Sequence, residues 1–236
     1  MNNSFYDDID TNFEKAYKMC EENFSHEELI NLLKNGNIPE RQIAAMKFDN
    51  ITTIEDANAI LSNLTGCDGK IREAAALTLK RILSDSLISR EILSKISFKT
   101  LADATIDING NICRLAIDSA ILLKESKTFS KNYVSQILIY AKEAFDTIDK
   151  FIFRDKKYVI NKQIFKLYWC LEALNYFYDE ISDDILENVL KQASEQKEYT
   201  IREKAANIII SANKFPALAD KLKNDENYYV RNVFTH

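Results

Sequence analysis

The chain has 236 residues, of which 46% are hydrophobic and 28% charged, and its formal net charge is −5 at pH 7. This composition excludes a disordered chain, which needs few hydrophobic residues and a high net charge. Only 4 Gly and 2 Pro occur. Because these residues punctuate turns and sheets, their scarcity favours long helices joined by short connections.

Charge and hydropathy also restrict the cellular setting. Residues 1–35 hold eight acidic and three basic residues, so the whole acidic excess lies there and the rest of the chain is balanced. A nucleic-acid-binding protein usually carries a basic excess, so we expect no nucleic-acid partner. Apolar runs are far shorter than the roughly 20 residues that span a membrane, and the first residues lack the features of a secretory signal. We expect a cytoplasmic protein, and the richness in Asn, Lys and Ile suggests a bacterial one.

The residues that usually carry chemistry are few and scattered. No cysteine lies close to another in sequence, and the two histidines, His26 and His236, stand at opposite ends of the chain. Phosphate-binding glycine loops, nucleophile elbows and zinc-protease motifs are all missing. We therefore expect no catalytic residue, no cofactor and no metal, and we expect that the protein is not an enzyme. The cysteines are Cys20, Cys67, Cys113 and Cys170.

The first element that the sequence predicts is an acidic N-terminal cap helix over 1–25. The end of a stack of helices needs a cap with one polar face, and the acidic excess fits that role. Ser25 followed by Glu28 forms a capping-box pattern, which predicts that the next helix begins directly after Ser25. The aromatic residues of the cap segment are Phe5, Tyr6, Phe13, Tyr17 and Phe24.

Four later segments repeat one pattern, in which a polar turn leads into a helix that opens with an aliphatic and a basic residue. Small and aliphatic residues then recur at three- and four-residue steps, which gives the helix one apolar face. A further segment aligns through Arg41, which lies 31 residues before Arg72. An amphipathic helix precedes each segment, so the pattern predicts helix pairs that bury their apolar faces by stacking. The four segments start at Asp68, Asn109, Thr200 and Tyr229.

The chain resembles the HEAT repeats, the armadillo-like α-solenoid family, through aliphatic–arginine pairs that open a helix. The resemblance implies an all-α, right-handed solenoid of about five to six helical hairpins, with 26–236 as a single continuous domain. It also implies that the arginines form a structural ladder by pairing with acidic residues of neighbouring repeats. The signature residues are Ile71-Arg72, Ile201-Arg202 and Val230-Arg231, with Ala75 and Ala205 following the first two pairs.

Two segments depart from this signature. In one, Cys113 stands at the arginine position and Arg114 follows it. In the other, Ile160-Asn161-Lys162 stands where the aliphatic–arginine pair is expected. We expect the arginine ladder to be weakest at these two places.

The long unit in the middle of the chain has the most unusual sequence. We expect helices over 130–148 and 157–178, and we expect the apolar insert Phe151-Ile152-Phe153 between them to fold back onto the core. The second helix is apolar nearly all round, and such a helix is either fully buried or presents an apolar strip to a partner. We expect its first stripe to face the core: Ile160, Ile164, Leu167, Leu171, Leu174 and Tyr178. Its second stripe has two interpretations: a docking strip, or core residues packed under the insert. The stripe residues are Lys162, Phe165, Lys166, Trp169 and Tyr176.

The function that these features favour is a protein–protein interaction scaffold that binds a partner on its concave helical surface. Trp, Tyr and cationic side chains are typical anchors of such interfaces. Two alternatives come from other HEAT-like proteins: DNA glycosylases, which bind damaged DNA in a basic groove, and bilin lyases, which handle a tetrapyrrole. Salt-sensitive DNA binding and visible absorbance on bilin addition would identify these alternatives. The partner and the oligomeric state are not predicted.

Overall fold

The computed structural model describes Glu14 and residues 17–150 and 157–235. Every regular element in these residues is helical, and no strand occurs among them, which confirms the prediction of an all-α fold. The chain divides into two compact units, Met1–Leu123 and Lys124–His236.

The first unit contains seven helices after the short helical stretch 17–21. The helices are α1 (His26–Asn35), α2 (Ile38–Lys47), α3 (Ile54–Leu61), α4 (Gly69–Asp85), α5 (Leu87–Ile96), α6 (Phe98–Thr105) and α7 (Gly110–Leu122). The helix α4 contacts both α2 and α7. Helices that follow each other in the chain are also in contact: α1 with α2, α3 with α4 and α6 with α7.

Side-chain caps define where the first helices begin. The Ser25 hydroxyl accepts a hydrogen bond from the Glu28 N–H at 3.3 Å, and the Glu28 carboxylate accepts one from the Ser25 N–H at 2.7 Å. This confirms the predicted capping box, and Asn37 with Glu40 forms a second one before α2. Such reciprocal caps satisfy N–H groups that the helix itself leaves unpaired.

The described residues of the second unit form six helices and two short 3₁₀ segments. The elements are α8 (Lys127–Lys150), α9 (Lys157–Phe177), the 3₁₀ segment Tyr178–Glu180, α10 (Asp183–Ser194), α11 (Tyr199–Ala212), α12 (Pro216–Lys223), α13 (Tyr228–Asn232) and the 3₁₀ segment Val233–Thr235. The helix α9 packs along α8 and contacts α11, and α11 in turn contacts α13. The helix α10 contacts α11, and α12 contacts α13.

The observed elements differ from the expected ones in a few places. A helix that the repeat pattern does not predict, α5, begins at the Ser86 cap, whose hydroxyl accepts the Ser89 N–H. The helix expected over 130–148 extends to Lys127–Lys150. The expected insert Phe151-Ile152-Phe153 and most of the expected cap helix over 1–25 lie outside the described residues.

Candidate functional site

The helix α9 buries one face completely. Leu167, Leu171 and Leu174 are at most 1% exposed, and α9 lies against α8 and α11. Sequence periodicity predicted these three residues as core. Burying a leucine side chain stabilises the fold by about 1.5–3 kcal/mol, so this face is bound to the unit and unavailable to a partner.

The opposite part of α9 carries aromatic side chains at the surface. Phe165 is 38% exposed and Tyr176 44% exposed, and Lys162 is exposed as well. Trp169 is half-buried, and its ring lies 6.2 Å from the Phe165 ring in an edge-on arrangement. We call Lys162, Phe165, Trp169 and Tyr176 the α9 strip. The structure therefore gives this strip two exposed rings and one half-buried ring.

The indole of Trp169 has an unusual environment. Its Nε1 atom is buried and has no hydrogen-bond partner among the described residues. A buried donor left without a partner costs about 1–3 kcal/mol, and Trp N–H groups usually find a partner when buried. The Tyr168 ring packs edge-on against the Trp169 ring, and the two ring centroids lie 5.3 Å apart.

Lys166, which the sequence grouped with this strip, contacts α8 instead. Its ammonium lies 2.8 Å from the Glu143 carboxylate and 4.8 Å from the centre of the Tyr140 ring. The side chain is only 17% exposed. Lys166 therefore holds α8 and α9 together, and of the two lysines expected in the strip only Lys162 is exposed.

A second lysine, which the sequence did not single out, has a similar place between α9 and α11. Lys204 lies 2.6 Å from the Glu172 carboxylate and 4.6 Å above the Tyr168 ring. Burial lowers the pKa of Lys204, but the hydrogen bonds and charges of Glu172 and Tyr168 outweigh this effect and raise it. Glu172 and Lys204 lie on separate helices, so no local sequence pattern predicts that they pair. Only the fold brings them together.

Three arginines of the repeat pattern each bind a side chain in a connection farther along the chain, which leads into α4, α7 or α13. Arg72 donates through Nε and Nη2 to the two carboxylate oxygens of Asp107, at 2.7 and 3.1 Å, and through Nη1 to the Cys67 carbonyl. The Asp107 hydrogen bond raises the pKa of Arg72. Arg41 uses the same two nitrogens on the Asn63 side-chain oxygen, at 2.9 and 2.6 Å.

Arg202 repeats this arrangement in the second unit. Its Nε and Nη2 donate to Asp225 at 2.7 and 2.9 Å, while its Nη1 donates to the carbonyls of Gln196 and Lys197, both at 2.9 Å. Both side chains of the Arg202–Asp225 pair are 8% exposed. The Arg202 hydrogen bond lowers the pKa of Asp225. Arg72 and Arg202 thus each join the turn before their own helix to a turn farther along the chain.

Arg231 makes only half of these contacts. Its Nη1 donates to the carbonyls of Asp225 and Glu226, at 2.6 and 2.8 Å, which are the bonds to its own turn. Within 17–150 and 157–235, no carboxylate or amide oxygen is bound to its Nε or Nη2. Of the three residues expected to form a ladder, Arg72 and Arg202 therefore have an acidic partner and Arg231 has none in the described chain.

Cys113 occupies the arginine position of its segment. Its thiol donates a hydrogen bond to the Asp107 carbonyl, six residues earlier in the chain, at 3.0 Å. Arg231 makes the equivalent bond, since it also donates to the carbonyl of the residue six positions before it. Burial raises the pKa of Cys113 to about 12, so the thiol is not a nucleophile at neutral pH. Arg114 is exposed and donates only to Asn111, at 3.2 Å. This is the place where we expected the ladder to be weakest.

No group of three or more His, Cys, Asp or Glu side chains in the described parts of the chain is arranged to hold a metal ion. Within the same residues, no helix combines the length and the apolarity needed to cross a membrane.

Comparison with known proteins gives a likeness to solved structures. No protein-family model and no curated protein matches the chain. The chain is similar to the crystal structure of an engineered protein, with a TM-score of 0.45 and 13% sequence identity. The match covers 88% of this chain and 92% of the engineered protein's chain. A TM-score this low carries no inference about fold family or function.

Proposed function

We propose that this protein is a non-enzymatic scaffold of HEAT-like helical hairpins that binds a partner protein through the α9 strip. The observation that carries the proposal is the exposure of Phe165 and Tyr176 on a helix whose other face is core. Large aromatic side chains are enriched at protein interfaces, where they supply most of the binding free energy. In a HEAT-like solenoid the second helix of each pair lines the concave surface, and α9 is the second helix of its pair.

The charges around the strip support a protein partner over a nucleic acid. Lys166 and Lys204 are each bound to a carboxylate, at 2.8 and 2.6 Å. Phosphate binding relies on cations that release counterions when they meet the backbone. Glu143 and Glu172 already neutralise these two lysines. A partner that contacts this surface therefore meets mainly aromatic rings and little positive charge.

The half-buried Trp169 adds a polar feature to an otherwise apolar strip. Its unpartnered Nε1 gains a hydrogen bond if partner binding shifts the indole toward an acceptor such as a backbone carbonyl. The proposed partner is therefore a protein segment with apolar side chains for Phe165 and Tyr176 and one acceptor for the indole.

The test is affinity capture from a lysate of the source organism, with mass spectrometry of the retained proteins. The variant Phe165→Ser/Tyr176→Ser removes the exposed rings, and Leu87→Ser/Ile88→Ser removes two exposed apolar side chains of α5 as a matched control. We expect a protein that wild type and control retain and the α9 variant loses, with equal melting temperatures. Equal retention by all three chains would refute the α9 strip as the docking surface.

A further inference from the structure

The indole of Trp169 lies between two aromatic rings of the same helix. The Trp169 ring centroid is 6.2 Å from that of Phe165 and 5.3 Å from that of Tyr168, with interplanar angles of 72° and 84°. Aromatic pairs prefer such edge-to-face arrangements. Phe165 is 38% exposed, whereas Tyr168 and Trp169 are half-buried. Since Phe165 lies at the surface, the position of the indole depends mainly on how firmly Tyr168 is held.

Tyr168 is held from α11 by Lys204. The Lys204 ammonium lies 4.6 Å from the centre of the Tyr168 ring, a distance at which a cation is attracted to the ring face. The same ammonium lies 2.6 Å from the carboxylate of Glu172, which follows Tyr168 by one turn of α9. We call Lys204 and Glu172 the α9–α11 clamp. A single ammonium group thus contacts α9 at two points.

The clamp itself offers little to a partner protein. The side chains of Lys204 and Glu172 are 15% and 23% exposed, so most of each is covered. Each charge is also neutralised by the other, and the ammonium is directed at the Tyr168 ring. Any effect of the clamp on binding therefore passes through the ring that Lys204 covers.

From these contacts we infer that Lys204 and Glu172 are positioning residues of the α9 strip, which hold Tyr168 and, through it, the Trp169 indole in the orientation that the partner binds. A side chain that is already ordered in the free protein costs less conformational entropy when a partner binds. The indole Nε1 is buried without a hydrogen-bond partner among the described residues, so its direction decides whether an acceptor can reach it. The inference rests on the proposed docking function of the strip.

Trp169 is the single tryptophan of the chain, so its fluorescence reports the clamp without any partner. We expect Lys204→Met to increase acrylamide quenching of Trp169 about twofold or more, because the released rings move between rotamers. The same variant should add a fast component to the decay of fluorescence anisotropy. Lys204→Arg keeps a cation over the ring and a donor for Glu172, so it should preserve the quenching of wild type.

Further variants separate positioning from loss of the fold. Lys204→Met leaves the Glu172 carboxylate without its counter-charge, which is destabilising in itself. The double variant Lys204→Met/Glu172→Gln avoids this and should increase quenching by the same factor. Tyr168→Leu removes the ring but leaves the ion pair, and it should also increase quenching. Lys214→Met is the matched control, because it breaks another lysine–carboxylate pair of the second unit, 2.6 Å from Asp183, and should leave quenching unchanged.

Retention of the partner in the affinity capture is the second readout. We expect the folded double variant Lys204→Met/Glu172→Gln to retain about two- to tenfold less of the captured protein than wild type, since one side chain must then be ordered on binding. Lys204→Arg and Lys214→Met should retain as much as wild type. Melting temperatures of all variants show which of them fold.

Two results would overturn the inference. One is unchanged quenching of Trp169 in the folded double variant. The other is increased quenching with undiminished retention of the partner, which would make the clamp a purely structural contact. A wild-type chain that captures no protein instead refutes the proposed function, and the quenching then decides alone whether the clamp positions the indole.

Discussion

Single side chains join turns that lie far apart in the sequence of this protein, and Arg72 and Arg202 show how. The sequence predicted that Arg72 and Arg202 face acidic residues, because the resemblance to HEAT repeats implies it. It did not predict which acids, since Asp107 lies 35 residues from Arg72 and Asp225 lies 23 residues from Arg202. Such distances depend on loop and helix lengths, which local sequence patterns do not fix.

The first prediction at the residue scale concerns Arg202. Replacing it by Met leaves the Asp225 carboxylate, 8% exposed, without its counter-charge, and breaking a buried pair costs about 3–5 kcal/mol. We expect urea unfolding to show a loss near 3 kcal/mol for Arg202→Met. The exposed Arg114→Gln should change the free energy of unfolding by less than about 0.5 kcal/mol. Equal losses in the two variants would contradict the role of the Arg202–Asp225 pair.

A second prediction follows from Asp56, which is 3% exposed at the start of α3. Burial raises the pKa of its carboxyl, but hydrogen bonds from His26, Thr52 and Thr53 outweigh burial and lower the pKa to about 2. An unfolded Asp has a pKa of about 3.9, so the folded state binds the proton more weakly. The stabilisation is therefore present above pH 4 and is lost as the pH falls toward 2.

Denaturant titrations at pH 5 and pH 2 test this linkage. The difference in free energy of unfolding between wild type and Asp56→Asn should shrink by about 2 kcal/mol over that range. A difference that stays constant, or grows as the pH falls, would show that the Asp56 carboxyl is not held ionised by the fold.

At the scale of the helix, periodicity predicted the buried face of α9 but not the use of its other residues. Leu167, Leu171 and Leu174 are core as the three- and four-residue steps indicated. Lys166 was expected beside Phe165 at the surface, but its side chain forms an ion pair with Glu143 of α8 and therefore lies in the contact between α8 and α9. The residues of a neighbouring helix decide where such a side chain lies, and the sequence of α9 alone does not show which residues those are.

The prediction for the helices compares two leucines of α4. Leu79 is 1% exposed and Leu77 is 57% exposed. We expect Leu79→Ala to cost about 2–5 kcal/mol, because it removes buried methyl groups and leaves a cavity. Leu171→Ala in α9 should cost a similar amount, whereas Leu77→Ala should cost less than about 0.5 kcal/mol. Thermal and urea unfolding measure the three values, and a cost at Leu77 equal to that at Leu79 would refute the helix register.

On the scale of the whole molecule, the described chain is helical throughout and forms two compact units. Low Gly and Pro content and recurring apolar steps were enough to predict the helical class. The helical pair of α8 and α9, which begins the second unit, is also one of the two places where the sequence departs from the aliphatic–arginine signature. The repeat pattern therefore carried little information about this part of the chain, where the candidate docking surface lies.

The buried thiols give a prediction for each unit. Cys113 lies in the first unit and Cys170 in the second, and both are fully buried, whereas Cys20 is exposed. We expect Cys20 to react with a thiol reagent at once. Cys113 and Cys170 should each react at least about a thousandfold more slowly, since their reaction requires unfolding. Mass spectrometry of the labelled peptides separates the sites, and fast labelling of Cys170 would show that α9 is not core.

The most direct test of the scaffold function is to place a photo-reactive phenylalanine analogue at position 165 and irradiate the chain in its native lysate. The control chain carries the analogue at position 88, where Ile88 is 62% exposed on α5. The proposed function predicts a specific protein adduct at position 165 that is absent from position 88. A chain that forms no protein adduct at position 165, or forms the same adducts at both positions, would contradict it.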